Sequence, residues 1–88
     1  MTERLVARER QNRYGDFVER ARVTQNITAA MADSRNWKTL APDTRQCFEE
    51  IAIKIGRALN GDAEYADNFT DIIGLARHVE RRLKGERT

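Results

Sequence analysis

The chain contains one cysteine, one proline and no long apolar run. A lone cysteine excludes an internal disulfide framework and any site built on paired cysteine ligands. The missing apolar run excludes a membrane-spanning helix, which needs about 18 residues or more. The first ten residues, MTERLVARER, carry a charge at every second or third position and lack the apolar stretch of a secretion signal, so the sequence predicts a cytoplasmic protein.

Lysine is scarce as well: 13 of the 16 basic residues are arginine, against 14 acidic residues. The net charge of +2 hides an uneven distribution. Residues 1–22 and 77–88 are rich in arginine, whereas residues 43–71 hold seven acids against three basic residues. The chain therefore has basic ends and an acidic middle.

The remaining composition is that of one small globular domain. Hydrophobic residues make up 40% of the chain, which excludes a disordered tail. Eighty-eight residues cannot hold two independent cores, so residues 1–88 are expected to form a single domain.

Strand signals are nearly absent, and helical spacing of apolar residues predicts three main helices. Their expected ranges are about 16–33, 42–60 and 67–84. A segment at about 2–11 is also helical by pattern, and residues 1–13 are expected to form either a docked helix or a frayed arm. The sequence thus predicts an all-α fold, a small helical bundle of three main helices plus a short N-terminal helix. Because three such helices close a core only marginally, we expect dimerisation to complete it.

The helix ends carry recognisable signals. Asp16 with Glu19 forms a capping-box pattern, and Pro42 suits the first position of a helix. Asp67 is the expected N-cap of the last helix, and Gly85 its stop. Gly56 lies inside a helix, where it costs about 1 kcal/mol relative to alanine, so we expect another helix to pack closely on it.

Cysteine and histidine chemistry is weakly supported. Cys47 lies on an apolar helix face beside Phe48, which predicts a buried small side chain rather than a nucleophile. His78 lies off the apolar stripe among arginines and is expected at the surface. The five glycines are too scattered to form a phosphate-binding loop.

Carboxylates on the last two helices form a candidate metal site. Glu49 and Asp71 each lie about ten residues from the connecting turn, at similar height in an antiparallel hairpin. Together with Glu50 they could hold Mg²⁺ through oxygen ligands; the alternative is that these acids are solvated or capping residues. The pattern Glu49-Glu50 followed by Asp71 resembles the acidic motifs of MazG-type all-α NTP pyrophosphohydrolases, with Ile53 and Asn68 in place of two of that family's acids. This resemblance implies Mg²⁺ as a cofactor and nucleotide hydrolysis as an activity.

A second resemblance covers residues 10–80. It rests on Tyr14-Gly15-Asp16, on Lys54-Ile55-Gly56-Arg57, and on Asp67 followed by Asp71-Ile72-Ile73-Gly74. In these motifs the chain resembles a family of short phage and prophage proteins of unknown function. The resemblance implies a phage or prophage origin and an α-helical fold, and it implies no activity.

Both resemblances centre on basic and acidic residues of two neighbouring helices. One interpretation is structural: Lys54 with Asp71, and Arg57 with Asp67, would form ion pairs between the helices. The other is a ligand site in which basic side chains hold a phosphate and carboxylates orient a sugar or a metal. The residues of this candidate polar cluster are Tyr14, Asp16, Lys54, Arg57, Asp67 and Asp71.

The leading functional prediction is a non-catalytic binding or interaction protein that needs no cofactor. Its expected partners are a second copy of the chain, a host or phage protein, or a nucleotide. The alternative is a degenerate or minimal Mg²⁺-dependent nucleotide pyrophosphohydrolase. Nucleic-acid binding through the arginine-rich ends is a further, disfavoured alternative, because the arginines are interleaved with acids.

Overall fold

A computed structural model describes residues 3–86, apart from the side chains of Gln11 and Asn12. It contains four α-helices: α1 (Glu3–Tyr14), α2 (Phe17–Ala32), α3 (Pro42–Asn60) and α4 (Ala66–Leu83). A short 3₁₀ turn, Trp37–Thr39, links α2 to α3. No strand occurs within residues 3–86. The predicted all-α helical bundle is confirmed.

Most of the predicted helix ends are confirmed. The Asp16 carboxylate accepts a hydrogen bond from the Glu19 backbone N–H at 3.4 Å, so Asp16 caps α2. Pro42 opens α3, and Gly85 follows α4 with a φ of +76°. Positive φ suits glycine because it lacks a Cβ atom.

The predicted N-cap of α4 was wrong. Tyr65, rather than Asp67, occupies the N-cap position, and its side chain makes no capping hydrogen bond. The helix starts early because Asp62 organises the turn before it: its carboxylate accepts from the Glu64 N–H and its carbonyl from the Tyr65 N–H. Asp67 therefore lies inside the first turn of α4, where its charge is still favoured by the helix dipole.

The central helix is α3, since α1, α2 and α4 all pack against it. On one side of α3, glycines allow neighbouring segments to approach closely. A Cβ atom at Gly56 would lie 2.3 Å from Thr24 Oγ1 and 3.0 Å from the Arg20 carbonyl oxygen. A Cβ atom at Gly15, where φ is +77°, would lie still closer to the backbone of Asn60. A Cβ atom at Gly61 would likewise lie closer to the backbone of Arg13. The expectation of close helix packing at Gly56 is confirmed.

The N-terminal segment is docked at its C-terminal end. Helix α1 runs to Tyr14, further than the sequence predicted, and the Arg13 carbonyl accepts a 2.7 Å hydrogen bond from the Asp62 N–H. This bond joins the end of α1 to the turn after α3. Of residues 1–13, for which a docked helix or a frayed arm was expected, residues 3–13 lie in α1, and residues 1 and 2 lie outside the described part of the chain.

Helices α3 and α4 form an antiparallel hairpin. Cys47, Ala52 and Val79 are the buried hydrophobic residues of the described chain, together with one buried polar residue, Asn68. Arg82 near the end of α4 pairs with Asp43 at the start of α3, and this hydrogen bond holds the pKa of the Asp43 carboxyl below its usual value. The hairpin is thus tied at the end away from its turn.

The segment between α2 and α3 is held by an arginine. Trp37 and Leu40 are half-buried. The Arg45 guanidinium lies 5.7 Å from the centre of the Trp37 ring and donates to the carbonyls of Trp37 and Lys38. The cation–π contact and the hydrogen bonds together hold this turn against α3.

Within the described residues, no helix combines the length and the apolar character that crossing a membrane requires.

Two glycine substitutions test the packing of α2 on α3. Gly56→Ala should lower the free energy of unfolding by about 1–3 kcal/mol, because its methyl group meets Thr24 and the Arg20 carbonyl. Gly74→Ala is the matched control, since no atom lies within 4 Å of its Cβ position, and it should raise stability by about 0.5–1 kcal/mol. Urea denaturation at one fixed protein concentration measures both; equal effects of the two substitutions would contradict the account.

Candidate functional site

Lys54 and Asp71 form one of the two expected ion pairs. The Lys54 ammonium lies 2.8 Å from the Asp71 carboxylate, which joins α3 to α4. The lysine side chain is 18% exposed and the aspartate side chain 49% exposed. Because the aspartate side chain is half-exposed, the pair is worth about 0–1 kcal/mol, as for other surface pairs. The prediction that these two residues pair is confirmed.

The second expected pair, Arg57 with Asp67, was wrong. The Arg57 guanidinium instead lies over the Tyr14 ring, 4.7 Å from its centre. Asp67 accepts a 2.8 Å hydrogen bond from the Tyr65 hydroxyl. The physical reason is the docking of α1, which ends in the Gly15 turn and places the Tyr14 ring beneath the Arg57 guanidinium. A cation–π contact then replaces the ion pair.

The predicted polar cluster is therefore divided. Lys54 and Asp71 pair between α3 and α4. Tyr14 and Arg57 stack, and the Tyr14 ring meets the Tyr65 ring edge-on with 6.2 Å between ring centres. Asp67 reaches this second group only through its bond to Tyr65. The sixth residue, Asp16, is exposed and caps α2.

A different cluster, of arginines and aromatic rings, lies where α1, α2 and α3 meet. We call it the arginine–aromatic cluster; it comprises Arg13, Tyr14, Phe17, Arg20, Arg57 and Tyr65. The Arg13 guanidinium lies 4.9 Å from the centre of the Tyr65 ring. The Arg20 guanidinium lies 5.9 Å from the centre of the Tyr14 ring and 5.0 Å from that of Phe17. Sequence reasoning missed Arg13, Phe17, Arg20 and Tyr65.

One signal could have found part of this cluster. Phe17 and Arg20 are three residues apart on a helix, so their side chains are neighbours on one face. The contacts to Tyr65 and Arg57 come from distant segments and leave no local pattern.

A cleft of about 290 Å³ opens beside the cluster, between α2 and α3. Its walls include Phe17, Arg20, Thr24, Gln25, Ile53 and Arg57. The Nε atoms of Arg20 and Arg57 are shielded from solvent and have no hydrogen-bond partner among the described residues. No described carboxylate forms an ion pair with either guanidinium. The cleft thus combines two guanidinium groups that have no carboxylate partner with an exposed aromatic ring.

The candidate Mg²⁺ ligands lie elsewhere. Glu50 and Asp71 border one shallow depression with Lys54 and His78, and Glu49 is half-buried one residue before Glu50. Among the described residues, no group of three or more His, Cys, Asp or Glu side chains is placed to hold a metal ion. The Lys54 ammonium also occupies the position beside Asp71 that a cation would need.

The thiol and imidazole are placed as the sequence predicted. Cys47 is buried, and burial raises the pKa of its thiol, with the charge of Glu50 adding to the effect. A raised pKa leaves less of the thiolate that nucleophilic attack requires. His78 is exposed on α4.

The chain matches no protein-family model, and no curated protein or solved structure is significantly similar to it.

The Tyr65–Asp67 hydrogen bond can be tested by titration. It is the main cause that raises the pKa of the Tyr65 phenol above its usual value, because the neutral phenol donates to the carboxylate. Because the pKa of Tyr65 is higher in the folded state than in the unfolded state, the hydrogen bond stabilises the fold below pH ~10. This stabilisation is lost as the pH rises through the raised pKa. Asp67→Asn should lower the pH at which tyrosinate forms.

Ultraviolet absorbance of tyrosinate follows that titration. Glu64→Gln is the control, since it removes one carboxylate from the same turn and no hydrogen bond to the phenol. Identical titration curves for the wild-type chain and Asp67→Asn would contradict the assignment.

Proposed function

We propose that the chain is a non-catalytic interaction protein of the cytoplasm that works as a homodimer, whose first partner is a second copy of itself. The observation that carries the proposal is the amount of apolar side chain left exposed on α3 and α4. The resemblance to short phage and prophage proteins fits a small binding protein; the phage origin stays a prediction.

Several of the exposed apolar residues lie along the α3–α4 hairpin. Phe69, Ile73 and Leu83 of α4 are 54%, 63% and 71% exposed. On α4, positions 69, 73, 76 and 83 lie on one side of the helix by their spacing, and that side adjoins the side that packs on α3. Phe48 and Leu59 of α3 are exposed as well. We call this surface the hairpin face.

A groove between the two helices runs along part of the hairpin face. It has a volume of about 370 Å³, and its apolar walls include Phe48, Ile51, Ala76, Val79 and Leu83. Grooves of this kind accept apolar side chains from a partner helix. Contiguous exposed apolar patches mark interaction sites in water-soluble proteins when they are large.

The exposed area and the shape of the chain support a second copy. A folded monomer of 10.2 kDa exposes about 5,300 Å², whereas this chain exposes 6777 Å². Its radius of gyration is 15.1 Å, against about 12 Å for a compact chain of this length. A standard interface covers about 800 Å² per partner, which the excess can supply.

The charges favour an antiparallel pairing of the two hairpins. The N-terminal end of α4 and the turn before it are acidic, with Asp62, Glu64 and Asp67, while its last turns carry Arg81 and Arg82. A two-fold axis near Ile73, at the middle of α4, would place each acidic end beside the partner's basic end. A parallel pairing would instead bring like charges together, which costs free energy.

The other predicted functions gain less support. The pyrophosphohydrolase alternative needs Asp71 as a cation ligand, and Lys54 already pairs with it. Nucleic-acid binding through the arginine-rich ends needs them on one surface. Arg13 lies by the turn after α3 and Arg82 by its start, and α3 separates them by about 25 Å.

Charge insertion in the hairpin face tests the proposal. Ile73→Glu should raise the dissociation constant of the dimer by roughly 100-fold, because an unpaired carboxylate in an apolar interface costs about 3 kcal/mol. Val18→Glu is the matched control: Val18 is 69% exposed on α2, outside the hairpin face. Sedimentation equilibrium over a range of concentrations measures both.

We expect Val18→Glu to keep the wild-type dissociation constant, and circular dichroism to show unchanged helix content in both variants. A wild-type chain that sediments as a 10.2 kDa monomer at every concentration would overturn the proposal. Equal weakening by the two substitutions would place the interface elsewhere and would also contradict it.

A further inference from the structure

We propose that the cleft between α2 and α3 binds a phosphate group attached to a flat ring, as in a nucleoside phosphate. Arg20 and Arg57 take the phosphate, and Phe17 takes the ring. This inference goes beyond the proposed function and does not depend on the hairpin face, because the cleft residues lie on α2 and on a different set of α3 positions.

Two arginines converge on the cleft. The guanidinium groups of Arg20 and Arg57 both lie over the Tyr14 ring, at 5.9 Å and 4.7 Å from its centre. Arg20 comes from α2 and Arg57 from α3, and both line the same cleft. Their spacing is held by the glycine contact between these helices, because the Arg20 carbonyl is one of the atoms packed on Gly56.

No described carboxylate pairs with the positive charges at the cleft, which are stabilised only by aromatic rings. Neither Nε atom has a hydrogen-bond partner among the described residues, although both are shielded from solvent. A shielded donor without an acceptor costs about 1–3 kcal/mol, and like charges held near each other add repulsion. A phosphate in the cleft would accept hydrogen bonds from the terminal nitrogens of both guanidinium groups, which are not among the shielded atoms, and its charge would offset theirs.

The outer wall of the cleft suits a flat, partly apolar group. Phe17 is 67% exposed and Ile53 41% exposed, so both offer apolar area at the opening. A base stacked on an exposed aromatic ring gains about 1–3 kcal/mol. Thr24 and Gln25 add a hydroxyl and an amide that can bond to the edge of the ring or to a sugar.

The cleft volume of about 290 Å³ lies near the lower limit for small-molecule sites. This size suits one nucleotide unit. Such a unit can come from a free nucleotide or from a single-stranded nucleic acid, and the chemistry of recognition is the same for both. Separate ligands in the experiment distinguish these sources.

Calorimetric titration of the full chain tests the inference. The probes are ATP, inorganic pyrophosphate, adenosine and a short single-stranded oligonucleotide. We expect ATP to bind, pyrophosphate to bind more weakly, and adenosine to bind weakest. Arg20→Gln should weaken ATP binding about tenfold or more, since it removes one charge-assisted contact to the phosphate. Phe17→Ala should weaken ATP binding and leave pyrophosphate binding unchanged.

Arg22→Gln is the matched control. Arg22 lies on the same helix, outside the cleft, and pairs with Glu19 at 3.1 Å. It should leave ATP binding within about twofold of wild type, since it makes the same charge change without touching the cleft. Arg57→Lys is a second test: it keeps the charge and loses the planar guanidinium, so it should weaken ATP binding.

Three results would overturn the inference. They are an absence of heat with ATP, pyrophosphate and the oligonucleotide at millimolar concentration; equal weakening by Arg20→Gln and Arg22→Gln; and binding of adenosine as tight as that of ATP. Tighter binding of the oligonucleotide than of ATP, lost in Arg20→Gln, would support the site and assign its phosphate to a nucleic acid strand.

Discussion

Close packing at three glycines is the constraint on which the rest of the structure depends. Gly56 lets α2 approach α3, and Gly15 and Gly61 let the end of α1 meet the turn after α3. Through these contacts α1 and α2 pack on one side of α3. They also place Tyr14 under the arginines of α2 and α3, and they leave α4 with an apolar stripe that nothing in the described chain covers.

The fold could be predicted from the sequence because its signals are local. Apolar spacing, Pro42 and the Asp16 cap define helices within a few residues of their observed ends. The start of α4 could not be predicted in the same way. Its position depends on hydrogen bonds that Asp62 makes to the two residues before the helix, and these compete with the intrinsic capping preference of Asp67.

The candidate site was predicted less well, because part of it also depends on contacts that local sequence signals do not report. Lys54 and Asp71 face each other because of their register in the hairpin, the register that also pairs Asp43 with Arg82. The expectation that Glu49 lies level with Asp71 was wrong, since Glu49 is five residues, or about 7.5 Å of helix, from Lys54. The partner of Arg57 depends on where α1 docks, and that docking follows from backbone contacts at glycines rather than from side-chain pattern. Arg57, which was expected to pair with a carboxylate, therefore lies over an aromatic ring. The candidate ligand site is in the cleft beside α2 and not on the hairpin.

Disulfide trapping tests most directly the central claim, that a second copy covers the hairpin face in antiparallel orientation. In a Cys47→Ala background, Ile73→Cys places one thiol near the proposed two-fold axis, whereas Phe69→Cys places it one turn away. The account predicts that mild oxidation links Ile73→Cys chains into covalent dimers and leaves Phe69→Cys chains unlinked, since a disulfide needs Cβ atoms within about 4.5 Å. Efficient linking through position 69, or none through position 73, would contradict it.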